Sequence, residues 1–239
     1  MRGNFCGALV LVAAVIAVAP GTPLVSQMEP DPIRYPLATT RGLEPVNVSL
    51  SEATYLGRKS VQVRELAGVG SADRANGESL AILTDSDFSE GTIEVLLSGA
   101  LLPGAAEGAR GFIGIAFHVA EGGSSFRSFY LRPTNGRIDD QLRRNHATQY
   151  VNMPVFPWYR LRKEEPGVYE SYADLRPGVW TRMRVEVADG RARLFVNGAE
   201  QPSLVVNDLK PGATRGKVAL WIGLGTDAYF SDLIIRPRR

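Results

Sequence analysis

The chain is poor in the residues that most often carry metal or redox chemistry. Of its 239 residues one is cysteine and two are histidine. Cys6 precedes an apolar run, where it is not placed as a lipid-modified cysteine, and the rest of the chain has no thiol. Disulfide frames, thiolate nucleophiles and cysteine-ligated metals are therefore excluded beyond it. Long apolar runs are also scarce. Ala8 to Ala19 is an unbroken run of 12 residues behind Arg2, short for a bilayer span but suited to the hydrophobic centre of an export signal. Residues 1–26 are expected to be a signal peptide, cut near Ala19 or Ser26. A retained membrane anchor is the alternative. The product is expected to be secreted or periplasmic, and not transmembrane after signal removal. Nor is there a dominant charge: 27 Lys and Arg stand against 25 Asp and Glu, a net +2, which argues against nucleic acid as a partner.

Amphipathic helices of ten or more residues are missing too, and short alternating runs between glycines and prolines take their place. Residues 27–43 form a proline-rich lead-in or edge segment, and 44–239 read as one domain. Residues 53–63 are two runs around Gly57, a hairpin. Residues 112–120 and 126–132 form a second. In 180–187, Met183, Val185 and Val187 face one way and Arg182, Arg184 and Glu186 the other, a strand with one wet face. Asp189-Gly190 and Asn197-Gly198 are turn signals. Many short strands and no long helix predict an all-β fold, a two-sheet antiparallel β-sandwich.

The block PGVWTRMRVEVADGRARLFVNG, followed by GKVALWIGLGTDAYFSDLII, resembles the C-terminal half of concanavalin A-like lectin/glucanase domains, laminin-G-like modules included. GFIGIAFHV and the last strands are also similar to 3-keto-disaccharide hydrolase-like domains of exported bacterial proteins. The resemblance spans roughly residues 90 to 235 and implies a jelly-roll sandwich with carbohydrate as the ligand class. The same fold hosts enzymes, lectins and adhesion modules. The Glu-x-Asp-x-x-Glu strand of the related glucanases is absent. Glu29-Pro30-Asp31 begins that pattern without completing it, which counts against a retaining glucanase.

Strand alternation places Ile113, Ile115, Phe117 and Val119 on a core face and Phe112, Gly114, Ala116 and His118 on the other. Ser128, Tyr130 and Arg132 are expected to join the second face, as are Ala219, Trp221 and Gly223. Small residues flanked by His118, Tyr130, Arg132 and Trp221 predict a groove in which a ring offers a sugar a flat apolar surface. The stretch 133–157 is read as a loop rimming it. From Arg132 to Lys163 there are seven basic residues against Asp139 and Asp140 alone. Asn135, Gln141, Asn145 and Gln149 match sugar hydroxyls. Arg137, Arg143 and Arg144 suit carboxylate or sulfate, hence an acidic or sulfated glycan. Alternatively Asp139 and Asp140 pair with these arginines and staple the loop.

Binding of a glycan in the groove rimmed by residues 132–163 is the leading expectation. A glycoside-cleaving enzyme, with His146 as general base beside Asp139 or Asp140, is the second. A structural or adhesion module is the third. No cofactor is implied, although Asp139 and Asp140 could supply one ligand to calcium, whose site needs several oxygens.

Overall fold

The computed structural model describes residues 1, 3, 31–66 and 79–238. The expected signal peptide lies outside them except for Met1 and Gly3. Two antiparallel sheets account for about half of the described chain. The first contains β1 (Ile33–Tyr35), β3 (Val48–Tyr55), β4 (Arg58–Glu65), β6 (Gly91–Leu101), β11 (Thr181–Ala188), β12 (Arg191–Val196), β13 (Leu204–Val206) and β15 (Thr226–Pro237). Its order is β13-β12-β11-β6-β15-β4-β3, with β1 added on β15. The second contains β2 (Leu43–Val46), β5 (Leu80–Leu83), β7 (Ile113–Val119), β8 (Phe126–Leu131), β9 (Thr148–Met153), β10 (Glu170–Ser171) and β14 (Lys217–Ile222). Its order is β10-β9-β8-β7-β14-β5-β2. Helices α1 (Gln141–Asn145) and α2 (Trp158–Glu164) are short. The fold is the expected all-β two-sheet sandwich.

Period-two patterning makes the core. Met183, Val185 and Val187 of β11 meet Ile113, Ile115 and Phe117 of β7 and Val218, Leu220 and Ile222 of β14 in one buried cluster between the sheets. Each such side chain contributes roughly 1.5–3 kcal/mol on burial. A second buried cluster, Leu80, Ile82, Ala116, Val119, Phe126, Tyr130, Val151, Ala219 and Trp221, lies on the outer face of the seven-stranded sheet. Part of the lead-in joins the sandwich, since Ile33, Arg34 and Tyr35 pair with Ile235, Ile234 and Leu233.

Two expectations need correction. The stretch 133–157 is not a loop: it contains α1 and all of β9, which pairs with β8 along Phe126–Leu131 and with β10. Thr148–Met153 is too polar to announce a strand, because Gln149 and Asn152 are buried and bonded to backbone carbonyls. The second correction is a β-bulge in β7. Ala116 pairs with Ala219 but Val119 with Lys217, so Phe117 and His118 together oppose Val218. His118 takes φ 52°, a left-handed value in which histidine is one of the less disfavoured residues. Beyond the bulge the alternation inverts. Val119, expected in the main core, joins the outer cluster.

Candidate functional site

One rung of the seven-stranded sheet carries the outer-face chemistry. Leu80 pairs with Trp221, Trp221 with Gly114, Gly114 with Tyr130, Tyr130 with Gln149, and Gln149 with Glu170. Gly114 is the gap in that row. A Cβ there would lie 2.1 Å from the Phe129 carbonyl and 2.7 Å from Tyr130 Cβ. Its absence lets Tyr130 and Trp221 stack across the strand between them, centroids 4.6 Å apart. Phe112 meets Tyr130 edge-on at 6.0 Å. The next rung is Ile82, Ala219, Ala116, Ser128 and Val151, the expected floor of small residues.

Tyr130 and Trp221 are brought together as expected, yet neither ring has any exposed surface. An open trough over these two rings is not present. His118 is separate from them. Its ring packs beside Phe88 and Phe117. Its Nε2–H donates to the Ser89 carbonyl at 2.7 Å, and its Nδ1 accepts from Arg127 Nη1 at 2.8 Å. That fixes one neutral tautomer. Burial pushes this imidazole below its ordinary value; the Arg127 charge adds to that, while the Ser89 carbonyl and Glu90 oppose it. The bulge removes His118 from the face on which strict alternation would put it.

The reachable chemistry lies at the other end of the rung, where α1 and α2 flank β10. Glu170, buried on the edge strand, accepts from Arg162 Nε at 3.0 Å and Arg162 Nη2 at 2.6 Å. Its Oε1 lies 3.1 Å from His146 Nε2, and the His146 side chain is 18% exposed. Arg162 stands over the partly exposed Trp158 ring at 4.7 Å. Below them is Arg132, 5% exposed. It donates to the His146 carbonyl at 2.8 Å, the Tyr130 hydroxyl at 3.1 Å and Gln149 Oε1 at 3.1 Å, and it lies 5.0 Å from the Tyr130 ring centroid. All three acceptors are neutral. Burial pushes this guanidinium below its ordinary value, and the Arg162 and Arg110 charges act the same way against Tyr130 and Glu170. Glu170 is thus bonded to Arg162 and acts on Arg132 only as a nearby charge. Burial also lowers His146, with Glu170 opposing and Arg162 and Arg132 reinforcing.

Most of the other expected residues have structural partners. Arg137 forks onto Asp174 at 2.5 and 2.6 Å, not onto Asp139 or Asp140. Asp140 caps α1, accepting from the Arg143 backbone N–H at 3.0 Å. Asp139 is exposed on the approach to α1. Neither aspartate bonds His146, whose acidic partner is Glu170. Buried Asn135 reaches the His146 carbonyl and Arg143. Gln141 donates to Asn145 one helical turn on, at 2.7 Å. Arg144 covers the exposed Tyr172 ring at 5.0 Å. Gln149 is buried, its amide donating to the Tyr150 and Tyr169 carbonyls. Among the described residues no group of three or more His, Cys, Asp or Glu is placed to hold a metal ion, and no helix is long and apolar enough to cross a membrane.

Sequence reasoning does not single out Glu170, counts Arg162 only in the basic total of the rim, and offers Trp158 only as part of a second aromatic rim. They belong to an alternating-charge stretch that reads equally well as a solvated face. The pairing of β10 with β9 was the missing information.

No family model matches the chain, and no curated protein matches it. Among solved structures the chain is similar to a carbohydrate binding module, CBM66, from Bacillus subtilis, at 12% identity and TM-score 0.53, covering 80% of this chain and 93% of that one. It is similar to a protein of unknown function with a galectin-like fold from the same species, at 12% identity and TM-score 0.51, covering 88% and 99%. A native glycosidic hydrolase matches at 12% identity and TM-score 0.50, covering 87% and 96%. The chain therefore has the galectin-like β-sandwich fold.

Proposed function

We propose that this is an exported carbohydrate-binding protein whose ligand is a glycan with an acidic group, held where α1 and α2 flank β10. One observation carries the reading: among the described residues Arg132 is buried and donates to neutral acceptors only, while the nearby Arg162 shares its carboxylate partner, Glu170, with His146. A buried positive charge with no anion bonded directly to it is costly. A carboxylate or sulfate on the ligand would offset that cost, and the partly exposed Arg162, His146 and Trp158 offer it the entrance. The likeness in fold to a carbohydrate binding module supports sugar as the bearer of that anion.

The test is a glycan array of neutral, uronate-bearing and sulfated oligosaccharides, probed with the exported form and its Arg162→Ala variant. Acidic glycans should bind and Arg162→Ala should lose at least tenfold. An array with neutral binders only, or with none, contradicts the reading.

A catalytic reading draws on the His146–Glu170 contact, a general base oriented by a carboxylate. A glycosidase of the usual kind needs a second free carboxylate across the bond, whereas Glu170 is tied down by Arg162 and His146. Cleavage of a bound glycan, lost in His146→Ala with binding kept, would favour this alternative.

A further inference from the structure

The β3–β4 hairpin departs from the residue choice of two other turns among the described residues. Asp189-Gly190 and Asn197-Gly198 turn with positive φ at both residues, 54° and 72° in the first, 54° and 75° in the second. They have the residues such turns favour. The β3–β4 turn takes the same form at Leu56 and Gly57, with φ 45° and 76°. A leucine is poorly suited to that backbone. Leu56 is also 62% exposed, so burial returns little for the strain.

Leu56 edges an open cleft of about 460 Å³ on the eight-stranded sheet, lined also by Pro36, Arg58, Lys59, Trp180 and Asp232. The Trp180 ring is fixed from behind. Its Nε1 donates to the Tyr55 carbonyl at 3.3 Å, and it meets the Tyr55 ring edge-on at 5.8 Å. Tyr55 in turn stacks on Tyr229 at 3.9 Å. On the polar side Arg58 pairs with Asp232 at 2.5 Å, both side chains nearly half exposed. Asp232 is again left-handed, φ 50°. Aspartate tolerates that backbone, so the strain here is that of Leu56, and a strained residue at an exposed hollow is a mark of a site.

We propose that this cleft is a second saccharide site, separate from the one at β10. A pyranose has a C–H face and a rim of hydroxyls, each both donor and acceptor. Trp180 and Leu56 supply the apolar wall, Asp232 the acceptor, and Arg58 and Lys59 the donors. The proposal shares only its ligand class with the function proposed above. The two sites have separate reporters, Trp158 and Trp180.

The test uses the exported full-length chain labelled with 15N, titrated with cellohexaose, xylohexaose, maltohexaose and an oligogalacturonate hexamer. The assigned indole N–H signals are followed in the wild type and in Leu56→Asn. At least one hexamer should shift the Trp180 signal. Leu56→Asn should weaken that binding at least fivefold while raising Tm, because asparagine suits the turn. A Trp180 signal that no hexamer moves overturns the proposal. So does a Leu56→Asn protein with higher Tm and unchanged affinity, or one with lower Tm. Shifts confined to Trp158 leave the β10 site standing and remove this one; shifts confined to Trp180 do the reverse.

Discussion

His146 Nε2 lies 3.1 Å from Glu170 Oε1, across a carboxylate that Arg162 holds from the other side. This contact joins the end of α1 to the edge strand β10 and closes the outer face of the seven-stranded sheet at one end. It makes Glu170 a counter-ion within the site.

Glu170→Gln should therefore be costly. The change removes the anion shared by Arg162 and His146 and leaves Arg132 with no carboxylate close by. Breaking one side of a fully buried ion pair costs about 3–5 kcal/mol; with Arg162 partly exposed, urea unfolding should read a loss of about 2–3 kcal/mol. A loss below about 1 kcal/mol would mean that the carboxylate is not structural.

Both histidines have imidazoles that burial lowers below the ordinary 6.5. A neutral buried histidine binds fewer protons in the native state than in the unfolded one, so stability rises with pH in that window. The contribution is complete above about 6.5 and is lost as pH falls from there through the lowered native values. Protonating His118 Nδ1 would also set it against the Arg127 guanidinium. Urea midpoints between pH 8 and pH 5 should fall toward acid, and His118→Gln should flatten the slope. A midpoint that does not change with pH contradicts the tautomer assignment.

Gly114→Ala should destabilise by about 3 kcal/mol, since its methyl meets backbone at 2.1 Å between two stacked rings. Gly108, with open space at its Cβ position and an ordinary φ, is the control; Gly108→Ala should stay within about 0.5 kcal/mol. Equal effects on thermal unfolding would mean that the rung can relax.

Asp140→Ala should cost about 1 kcal/mol through loss of the α1 cap. Asp139→Asn should cost less than about 0.5 kcal/mol, as expected of an exposed side chain. Neither should abolish glycan binding. Loss of binding in Asp139→Asn with unchanged stability would return that aspartate to the site.

The sandwich is legible because several strands, β11 and most of β7 and β14 among them, alternate. The alternation of Gly114 and Ala116 with Ile113 and Ile115, and of Ala219 and Trp221 with Val218 and Leu220, placed the small-residue face and the Trp221–Tyr130 neighbourhood. Three features were not legible, each for a physical reason. The bulge at His118 costs no change in composition, yet it moves Val119, the last residue of β7, to the opposite face. Strand β9 hides behind Gln149 and Asn152, polar residues buried because carbonyls satisfy them. Strand β10 is two residues long, too short for any periodicity, although it delivers Glu170. The same gap explains why His146 was matched with Asp139 and Asp140, which are near in sequence, and not with Glu170.

The proposed function rests on the buried charge of Arg132, which among the described residues is bonded to neutral acceptors only. Its most direct test is calorimetric titration with the tightest acidic glycan from the array, before and after reduction of its carboxyl groups or removal of its sulfates. The account predicts that the acidic form binds at least tenfold more tightly, and that Arg162→Ala removes most of the difference. Equal affinity for the two forms would contradict it.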